Sequence, residues 1–292
     1  MLPLQPAKEL LGAACRITGA FALYRLLLRR RVTILVYHNP SPTAFGRHLA
    51  FLSRHFAFIT LDDLGEALSR RDFSGLPPFP LVITLDDGHA ANYRLLDAFK
   101  TSGVTPVIYC CSGIVGTSRR FWWNSGIGDV EFLKTLPADK MQALLKKETG
   151  YEPEREYETR DALSAAELIE MLPYITVGSH TRFHPILPQC DDSRCKEELT
   201  GSRADLERLL GRPVRHLAWP NGDYGARELQ IAAAAGYTTI RTIRHGWVTP
   251  DSDPLDLRAV EVQHDASLDV LRAEIIGINA FLKRFFGKLY KK

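Results

Sequence analysis

The sequence predicts an α/β fold in which parallel strands are joined by helices. Short apolar runs rich in β-branched residues alternate with helical patterns from Val32 to Val260, which is typical of strands joined by crossover helices. The run from Leu81 to Leu85 is apolar at nearly every position, as expected of a strand covered on both faces. A chain of 292 residues with 45% hydrophobic content can bury a full core, so one domain of barrel size is as well supported as two smaller ones.

Residues 1–31 are expected to form a basic amphipathic helix. Arg16 and Arg25 interrupt its apolar run, which is therefore too short and too charged to span a bilayer. The segment also lacks the layout of a secretory signal, because its basic cluster follows the apolar part. It is expected either to pack on the domain or to lie in a membrane surface, and the second is favoured because the far end of the chain repeats the design. The apolar positions at helical spacing are Leu10, Ala14, Ile17, Phe21, Tyr24 and Leu28.

The repeat of this design is a second basic amphipathic helix, predicted for residues 271–292. Apolar residues mark one of its faces and basic residues the other. The apolar face is formed by Ile275, Ile278, Leu282, Phe285 and Leu289, and the basic face by Arg284, Lys288 and Lys291.

Charge and cysteine content limit the partners and the compartment. Residues 1–31 and 279–292 each carry a net +5 in a chain of net +3, so the part between them carries −7. A mildly acidic body with two basic ends is unlike a nucleic-acid groove and more typical of a domain held at an anionic surface. The five cysteines are odd in number and lack Cys-x-x-Cys spacing, so we expect reduced thiols. We therefore expect a cytoplasmic protein, peripheral on the inner face of a membrane.

The elements between the two ends follow in a regular order until residues 112–165, a polar excursion that is expected to lie over one end of the barrel. This excursion contains Trp122 and Trp123, whose indoles either stack on sugar rings or pack in the core. The predicted strands are 32–37, 58–60, 81–85, 105–111, 175–178 and 260–263, and the predicted helices include 45–55, 62–70, 92–102 and 137–148.

Polar side chains follow two of the predicted strands at the point where each ends. Asp86 and Asp87 end one apolar run. Because successive strand side chains point to opposite sides, the two carboxylates are expected to have different roles. His180 and His184 follow another strand and are expected to lie side by side on a helical turn. The carboxyl ends of parallel strands share one face, so the four groups are expected to meet there. Two imidazoles and one carboxylate leave coordination positions open, as a catalytic metal requires.

In these residues the chain resembles the polysaccharide deacetylases of carbohydrate esterase family four, the NodB-homology domains, and most closely the poly-N-acetylglucosamine deacetylases. The family's first motif, Thr-Phe-Asp-Asp-Gly, is matched by residues 84–88 with one apolar change, and the second, His-Ser/Thr-x-x-His, by residues 180–184. The third, a Pro-Tyr-Gly turn, resembles residues 219–224, Trp-Pro-Asn-Gly-Asp-Tyr. The resemblance covers residues 32–270 and implies a distorted (β/α)7-type barrel, flanked here by the two terminal helices.

The resemblance implies a role for each matched residue at the strand ends. Asp87, His180 and His184 match the metal ligands, and Asp86 matches the general base. The implied cofactor is one divalent metal ion, most often zinc and sometimes nickel, cobalt or manganese.

The third motif and the excursion supply the implied substrate contacts. Asn221 replaces a tyrosine whose backbone amide supports the oxyanion, and a backbone amide survives this change. Its neighbours Pro220 and Tyr224, together with Trp122 and Trp123, are the candidates for substrate binding.

Two histidines compete for the role of general acid. No Leu-x-x-His occurs near the end of the chain, where many family members keep that group, whereas Tyr37-His38 matches the early pair of the poly-N-acetylglucosamine deacetylases. His264 is the alternative because it also ends a strand-like run, and His38 is favoured. The arginine often found two residues before the motif-three proline is Ala218 here, and Arg258 resembles an arginine that helps to orient the base.

These assignments imply a metal-dependent hydrolase that removes the N-acetyl group from an N-acetylated sugar. Deformylation or cleavage of another non-peptide amide is an alternative. The catalytic residues indicate which bond is broken more clearly than they indicate which acyl group is released. A catalytically inactive carbohydrate-binding barrel is a third, disfavoured because neither the base nor a ligand is missing. The basic ends favour a lipid-linked glycan precursor at a membrane, as in exopolysaccharide synthesis, over a finished polymer or a free oligosaccharide.

Overall fold

A computed structural model describes residues 4–278 of the protein. The strands are β1 (Thr33–Tyr37), β2 (Ala57–Phe58), β3 (Pro80–Leu85), β4 (Val107–Cys110), β5 (Thr176–Ser179), β6 (His216–Ala218), β7 (Thr239–His245) and β8 (Leu257–Glu261). They form one parallel sheet in the order β1-β8-β7-β6-β5-β4-β3-β2. Because β1 also pairs with β3, seven strands close into a ring, and β2 pairs with the beginning of β3. The predicted (β/α)7-type barrel is confirmed.

Helices surround this ring, and side-chain caps define where several of them begin. Thr60 and Asp63 form a capping box at one helix start, and Ser164 and Glu167 form another. The α-helices are α1 (Leu4–Ile17), α2 (Ala20–Leu27), α3 (Pro42–Leu52), α4 (Leu61–Ser69), α5 (Leu96–Ser102), α6 (Val130–Lys134), α7 (Ala138–Thr149), α8 (Ala165–Met171), α9 (Asp192–Lys196), α10 (Ser202–Leu210), α11 (Ala226–Ala234) and α12 (Leu268–Ile275). Short 3₁₀ helices cover Ala90–Leu95, Trp122–Asn124, Leu187–Gln189 and Pro220–Gly222, and a π-helical turn covers Glu197–Gly201.

The barrel wall separates two apolar clusters because side chains alternate along each strand. Ile34 and Val36 of β1 belong to one cluster with residues of β3, β4, β6 and β8, and only the interior of the ring can bring those strands together. Leu35 and Tyr37 belong to the larger cluster, which lies between the ring and its helices. Both faces of the strands are therefore covered, which explains their nearly continuous apolar sequence.

The amino end of the barrel is filled by α4. Leu61, Leu64 and Leu68 belong to the interior cluster. The Asp62 carboxylate lies 3.2 Å from Nε2 of His216, the first residue of β6. The helix thus crosses the ring where the strands begin, and the open end is the one where they finish.

The excursion of residues 112–165 packs as a unit of its own. Its helices α6 and α7 enclose a small apolar cluster that includes Trp122, Leu133, Met141 and Leu145. This position beside the carboxyl ends of the strands agrees with the predicted location over one end of the barrel.

The N-terminal segment forms two helices where one was predicted. Gly19 adopts a left-handed backbone, with φ of 70°, and separates α1 from α2. Among residues 4–278, no single helix is long and apolar enough to cross a membrane, although α1 and α2, bent by 84° at their break, reach the required length and composition as a pair. The second amphipathic helix was predicted for residues 271–292. From residue 279 onward these residues lie outside the described part of the chain.

A substitution at Gly178 in β5 can test how tightly side chains pack inside the ring. A Cβ atom there would lie 2.4 Å from Cδ1 of Tyr109 and 3.2 Å from the carbonyl oxygen of His216. Because Tyr109 is fully buried, we expect Gly178→Ala to lower the free energy of unfolding by about 1–3 kcal/mol. Urea denaturation measures this change. Gly46→Ala in α3 is the control, since nothing lies within 4 Å of the added atom, and equal stability of both variants would contradict the packing described here.

Candidate active site

Three buried side chains converge at the carboxyl end of the barrel. Asp87, which follows β3, has its Oδ1 atom 3.4 Å from Nε2 of His180 and 3.5 Å from Nε2 of His184. One ligand atom from each of the three residues lies within 4.8 Å of the other two. The strand ends singled out in the sequence therefore meet, and their side chains can contact a single ion.

The backbone between the two histidines is a loop, and the prediction of a helical turn was wrong. Thr181 and His184 have φ values of 65° and 53°, which a right-handed helix cannot contain. Side chains hold this loop instead: Ser179 Oγ accepts a hydrogen bond from the Thr181 amide at 3.2 Å, and Thr181 Oγ1 accepts one from the His184 amide at 3.1 Å. The two imidazoles approach each other because the chain reverses.

Glu198 holds the same loop from the outside. Its carboxylate is buried and accepts hydrogen bonds from the amides of Arg182 and Phe183 at 2.8 and 2.9 Å. Arg194 Nη2 lies 2.7 Å from its other oxygen. Burial raises the pKa of Glu198, and the Arg194 guanidinium opposes that effect. This buried carboxylate thus positions the histidine loop, a role that sequence inspection did not detect.

The three converging residues fit a divalent metal ion. His180 Nδ1 lies 2.8 Å from the Ala218 carbonyl and donates to it, which leaves the Nε2 lone pair directed at Asp87. Burial lowers the pKa of His180, and lowers that of His184 to about 3, so both imidazoles are neutral as ligands must be. Asp87 Oδ1 is buried without a hydrogen-bond partner among residues 4–278. Two neutral imidazoles and a carboxylate are a donor set typical of zinc.

His89 contacts the other oxygen of Asp87. Its Nε2 atom lies 3.0 Å from Asp87 Oδ2, and its ring packs edge-on against Phe121. Burial alone would raise the pKa of Asp87, but interactions led by the hydrogen bond from His89 hold it well below its usual value. Sequence reasoning missed His89, although its position directly after Gly88 was an available signal.

Asp86 is paired with Arg241, a residue of β7. Both carboxylate oxygens of Asp86 accept hydrogen bonds from Arg241 Nη2, and the arginine side chain is fully buried with its guanidinium over the Tyr109 ring. Burial would raise the pKa of Asp86, but the Arg241 charge, together with His180 and His38, outweighs it and keeps the pKa below its usual value. Asp86 is therefore ionised at neutral pH although water is largely excluded from it.

Arg258, predicted to help orient the base, does not line the cavity, and the arginine that contacts Asp86 is Arg241. Leu257 and Ala259 on β8 face the barrel interior, so strand alternation directs Arg258 outward. Its side chain is exposed and lies 3.4 Å from the His245 carbonyl. The β7 sequence, Thr-Ile-Arg-Thr-Ile-Arg-His, contains two arginines of which only Arg241 is buried, so its sequence alone did not identify Arg241.

Of the two candidate acids, His38 lies beside Asp86 and His264 lies beside His38. His38 Nε2 is 3.9 Å from Asp86 Oδ2, and the His38 and His264 rings are in edge-to-face contact at 5.7 Å. His264 Nδ1 accepts a long hydrogen bond, 3.4 Å, from the Asn39 amide. Burial lowers the pKa of His264, and the nearby His38 adds to that effect.

These groups line a cavity of about 1080 Å³ that opens at the carboxyl end of the barrel. Asp86, Asp87 and the histidines form its floor, and the excursion adds Trp123 and Lys134 to its wall. A space of this size accommodates a segment of several sugar rings.

The two predicted tryptophans differ in their surroundings. Trp122 is buried, and its Nε1 atom donates a hydrogen bond to the His184 carbonyl at 2.9 Å, so it anchors the histidine loop. Trp123 lies edge-to-face against the His184 ring at 4.6 Å, while Phe121 covers one face of its indole. Both line the cavity, and Trp122 is chiefly structural.

The residues of the third motif are only partly on the cavity wall. Asn221 lines the cavity and has a left-handed backbone, and its Nδ2 atom is buried without a partner among the described residues. Pro220 and Tyr224, which were predicted to contact substrate, do not line the cavity: Pro220 is buried, and Tyr224 donates to Asp256 at 2.8 Å. Trp219, stacked on Tyr224 at 5.0 Å, lines the cavity in their place.

Backbone strain concentrates around this site. Outside glycine, a left-handed backbone occurs at Arg71, Phe79, Asp87, Thr181, His184 and Asn221 within residues 4–278. Four of these surround the cavity floor, and such conformations persist only where their surroundings enforce them. The strain marks the place where side-chain geometry matters most.

Comparison with known proteins agrees with this geometry. The sequence profile described as polysaccharide deacetylase matches residues 75–240, more than half of the chain. The chain belongs to the polysaccharide deacetylase family. It is therefore a member of a group of carbohydrate hydrolases that act on N-acetylated polysaccharides. A comparison with curated proteins gives no match.

Several solved structures share the fold. The Streptococcus pyogenes deacetylase PplD in complex with acetate is 18% identical, with a TM-score of 0.63 over 85% of this chain and 99% of that one. IcaB from Ammonifex degensii is 20% identical, with a TM-score of 0.63 over 85% and 97%. A de-N-acetylase from Aggregatibacter actinomycetemcomitans is 13% identical, with a TM-score of 0.60 over 83% and 98%. At these identities the likeness shows the fold.

His89 is expected to strengthen metal binding through Asp87. Removing its hydrogen bond frees the carboxylate to rotate, so His89→Ala should weaken zinc binding by about 10–100-fold, and His89→Gln should recover part of the loss. Competition with a chromophoric chelator measures the affinity. His264→Ala is the matched control, because His264 lines the same cavity but contacts Asn39 and His38. Equal affinities for His89→Ala and this control would contradict the role assigned to His89.

Proposed function

We propose that the protein is a metal-dependent N-deacetylase that removes the acetyl group from an N-acetylated sugar. The observation that carries this proposal is the convergence of Asp87, His180 and His184 beside the ionised Asp86 on the floor of one open cavity. Family membership supports it. The name of the de-N-acetylase with the same fold agrees with it.

We propose zinc as the ion held by Asp87, His180 and His184, with nickel, cobalt and manganese as competitors for the same donors. Once bound, the ion supplies Lewis acidity that makes the amide carbonyl more electrophilic and a water molecule more acidic. The remaining work, which is to orient the substrate and to move protons, falls to the side chains around it.

Asp86 is the proposed general base. It is ionised and held by Arg241, so it can accept a proton from the water that attacks the acyl carbon. Arg241 fixes the direction of the carboxylate and limits its rotation during this transfer. The buried Asn221 Nδ2, together with the backbone amide of that residue, supplies donors for the acyl oxygen as negative charge develops on it.

His38 is the proposed general acid. Cleavage of the carbon–nitrogen bond gives acetate and a sugar amine, and the nitrogen must gain a proton as it departs. His38 faces Asp86 across the cavity floor, where this proton is needed. His264 is less suited, because burial lowers its pKa and favours its neutral form. We propose that His264 instead positions the His38 ring, with which it is in contact.

We propose further that the sugar belongs to a lipid-linked glycan precursor at the inner face of a membrane. The free thiols of the cysteines and the basic charge at both ends support this location. The size of the cavity supports a substrate of more than one sugar ring.

The deacetylase proposal predicts chelator-sensitive release of acetate from N-acetylglucosamine oligomers. Treatment with a chelator should abolish release, and added zinc should restore it. Asp86→Asn should lower kcat by about 10²–10⁴-fold while zinc content stays at one ion per chain, because a base and not a ligand is lost. Coupled acetate detection and metal analysis provide the two readouts. Loss of zinc in Asp86→Asn would make Asp86 a ligand, and absence of acetate release under all conditions would overturn the proposal.

The two histidines are expected to respond differently to substitution. His38→Ala should lower kcat by about 100-fold on a sugar amide and much less on an acetanilide that carries an electron-withdrawing group, whose leaving nitrogen needs less help from an acid. His264→Ala should lower kcat for both substrates by a similar, smaller factor. Steady-state kinetics on both substrates separate the roles, and the reverse pattern would make His264 the acid.

A further inference from the structure

The two N-terminal helices present apolar rows to solvent. On α1, Leu10 and Ile17 are 70% and 77% exposed, whereas Gly12 and Arg16 contact Asp269 of α12. On α2, Leu23, Leu26 and Leu27 are 68%, 58% and 66% exposed. We call these five residues the outer apolar face.

This face differs from the other exposed apolar residues of the described chain. Those are Phe132, Ile169 and Ile243, which are far apart in sequence and belong to separate elements. In contrast, α2 carries three exposed leucines within five residues, while its Phe21 and the following Leu28 are buried against the domain. Its one charged side chain, Arg25, donates to the His55 carbonyl at 2.6 Å. A cluster of exposed leucines on one short helix is typical of a surface covered by a second apolar medium.

Basic residues border the outer apolar face. Arg29, Arg30 and Arg31 follow α2 directly and are exposed, and residues 10–31 contain no acidic side chain. The surface thus combines aliphatic side chains with positive charge, whereas the body between the two ends carries −7.

We propose that the outer apolar face docks on an anionic lipid bilayer. The leucines enter the boundary between headgroups and acyl chains, and Arg29–Arg31 contact the lipid phosphates. Charge complementarity favours a bilayer over a second copy of the chain, because a two-fold interface would bring the same arginines against one another. This proposal does not depend on the deacetylase assignment, since the face lies outside the catalytic cavity.

Vesicle flotation of the full chain tests the proposal. The protein should float with vesicles of phosphatidylcholine and phosphatidylglycerol, and much less with phosphatidylcholine alone. The triple substitution Leu23→Gln, Leu26→Gln and Leu27→Gln should weaken partitioning by on the order of 100-fold, because three aliphatic groups no longer leave water. The triple substitution Arg29→Gln, Arg30→Gln and Arg31→Gln should cause a comparable loss on anionic vesicles alone.

Two controls make the outcome decisive. The double variant Phe132→Gln and Ile169→Gln removes exposed apolar groups elsewhere and should float like the original chain. The leucine variant should keep its thermal unfolding curve and its acetate release from soluble oligomers, which separates failure of docking from failure of catalysis. Equal flotation of the leucine variant would overturn the proposal. So would a chain that does not float and forms a dimer that the leucine substitutions dissociate, because the face would then bind a second copy.

Discussion

The burial of two neighbouring carboxylates at the end of β3 is the constraint on which the rest of the site depends. Removed from water, such groups require compensating charges or donors, and each of the two has its own. Asp86 is paired with Arg241, which reaches it from the opposite wall of the ring. Asp87 is shared between His89 and the two histidines that follow β5. Closure of the barrel is therefore needed to bring the site residues together as well as to form the core.

Local pattern was sufficient to predict six of the eight strands, their parallel arrangement and the meeting of side chains at two strand ends, but not β6 and β7. It was insufficient for Arg241, because a partner 155 residues away depends on which strands oppose each other across the ring. The position of Arg258 away from Asp86 has a related cause: a shift of one residue along a strand reverses the side of the wall that a side chain faces. The prediction of a helical turn at the second motif was wrong for a different reason. Side-chain hydrogen bonds and Glu198 make the chain reverse direction there, and the spacing of residues in the sequence does not reveal this.

The N-terminal segment shows another limit of periodicity. Spacing grouped Leu10 and Ile17 with Phe21 and Leu28 on a single face, but the break at Gly19 separates the two pairs. The first pair is exposed on α1, and the second is buried beneath α2. Helical spacing identifies residues on the same face only while the helix is continuous. A glycine with a left-handed backbone ends the helix, so residues on its two sides need not share a face.

Because α4 fills the amino end of the ring, it limits how a substrate can enter and leave the cavity. Leu61, Leu64 and Leu68 close that end, so the cavity is a blind recess with one mouth. Whatever enters must leave by the same route, and a glycan cannot be threaded through the ring. A long saccharide can be processed only as a stretch laid across the rim, with the small acid escaping past it.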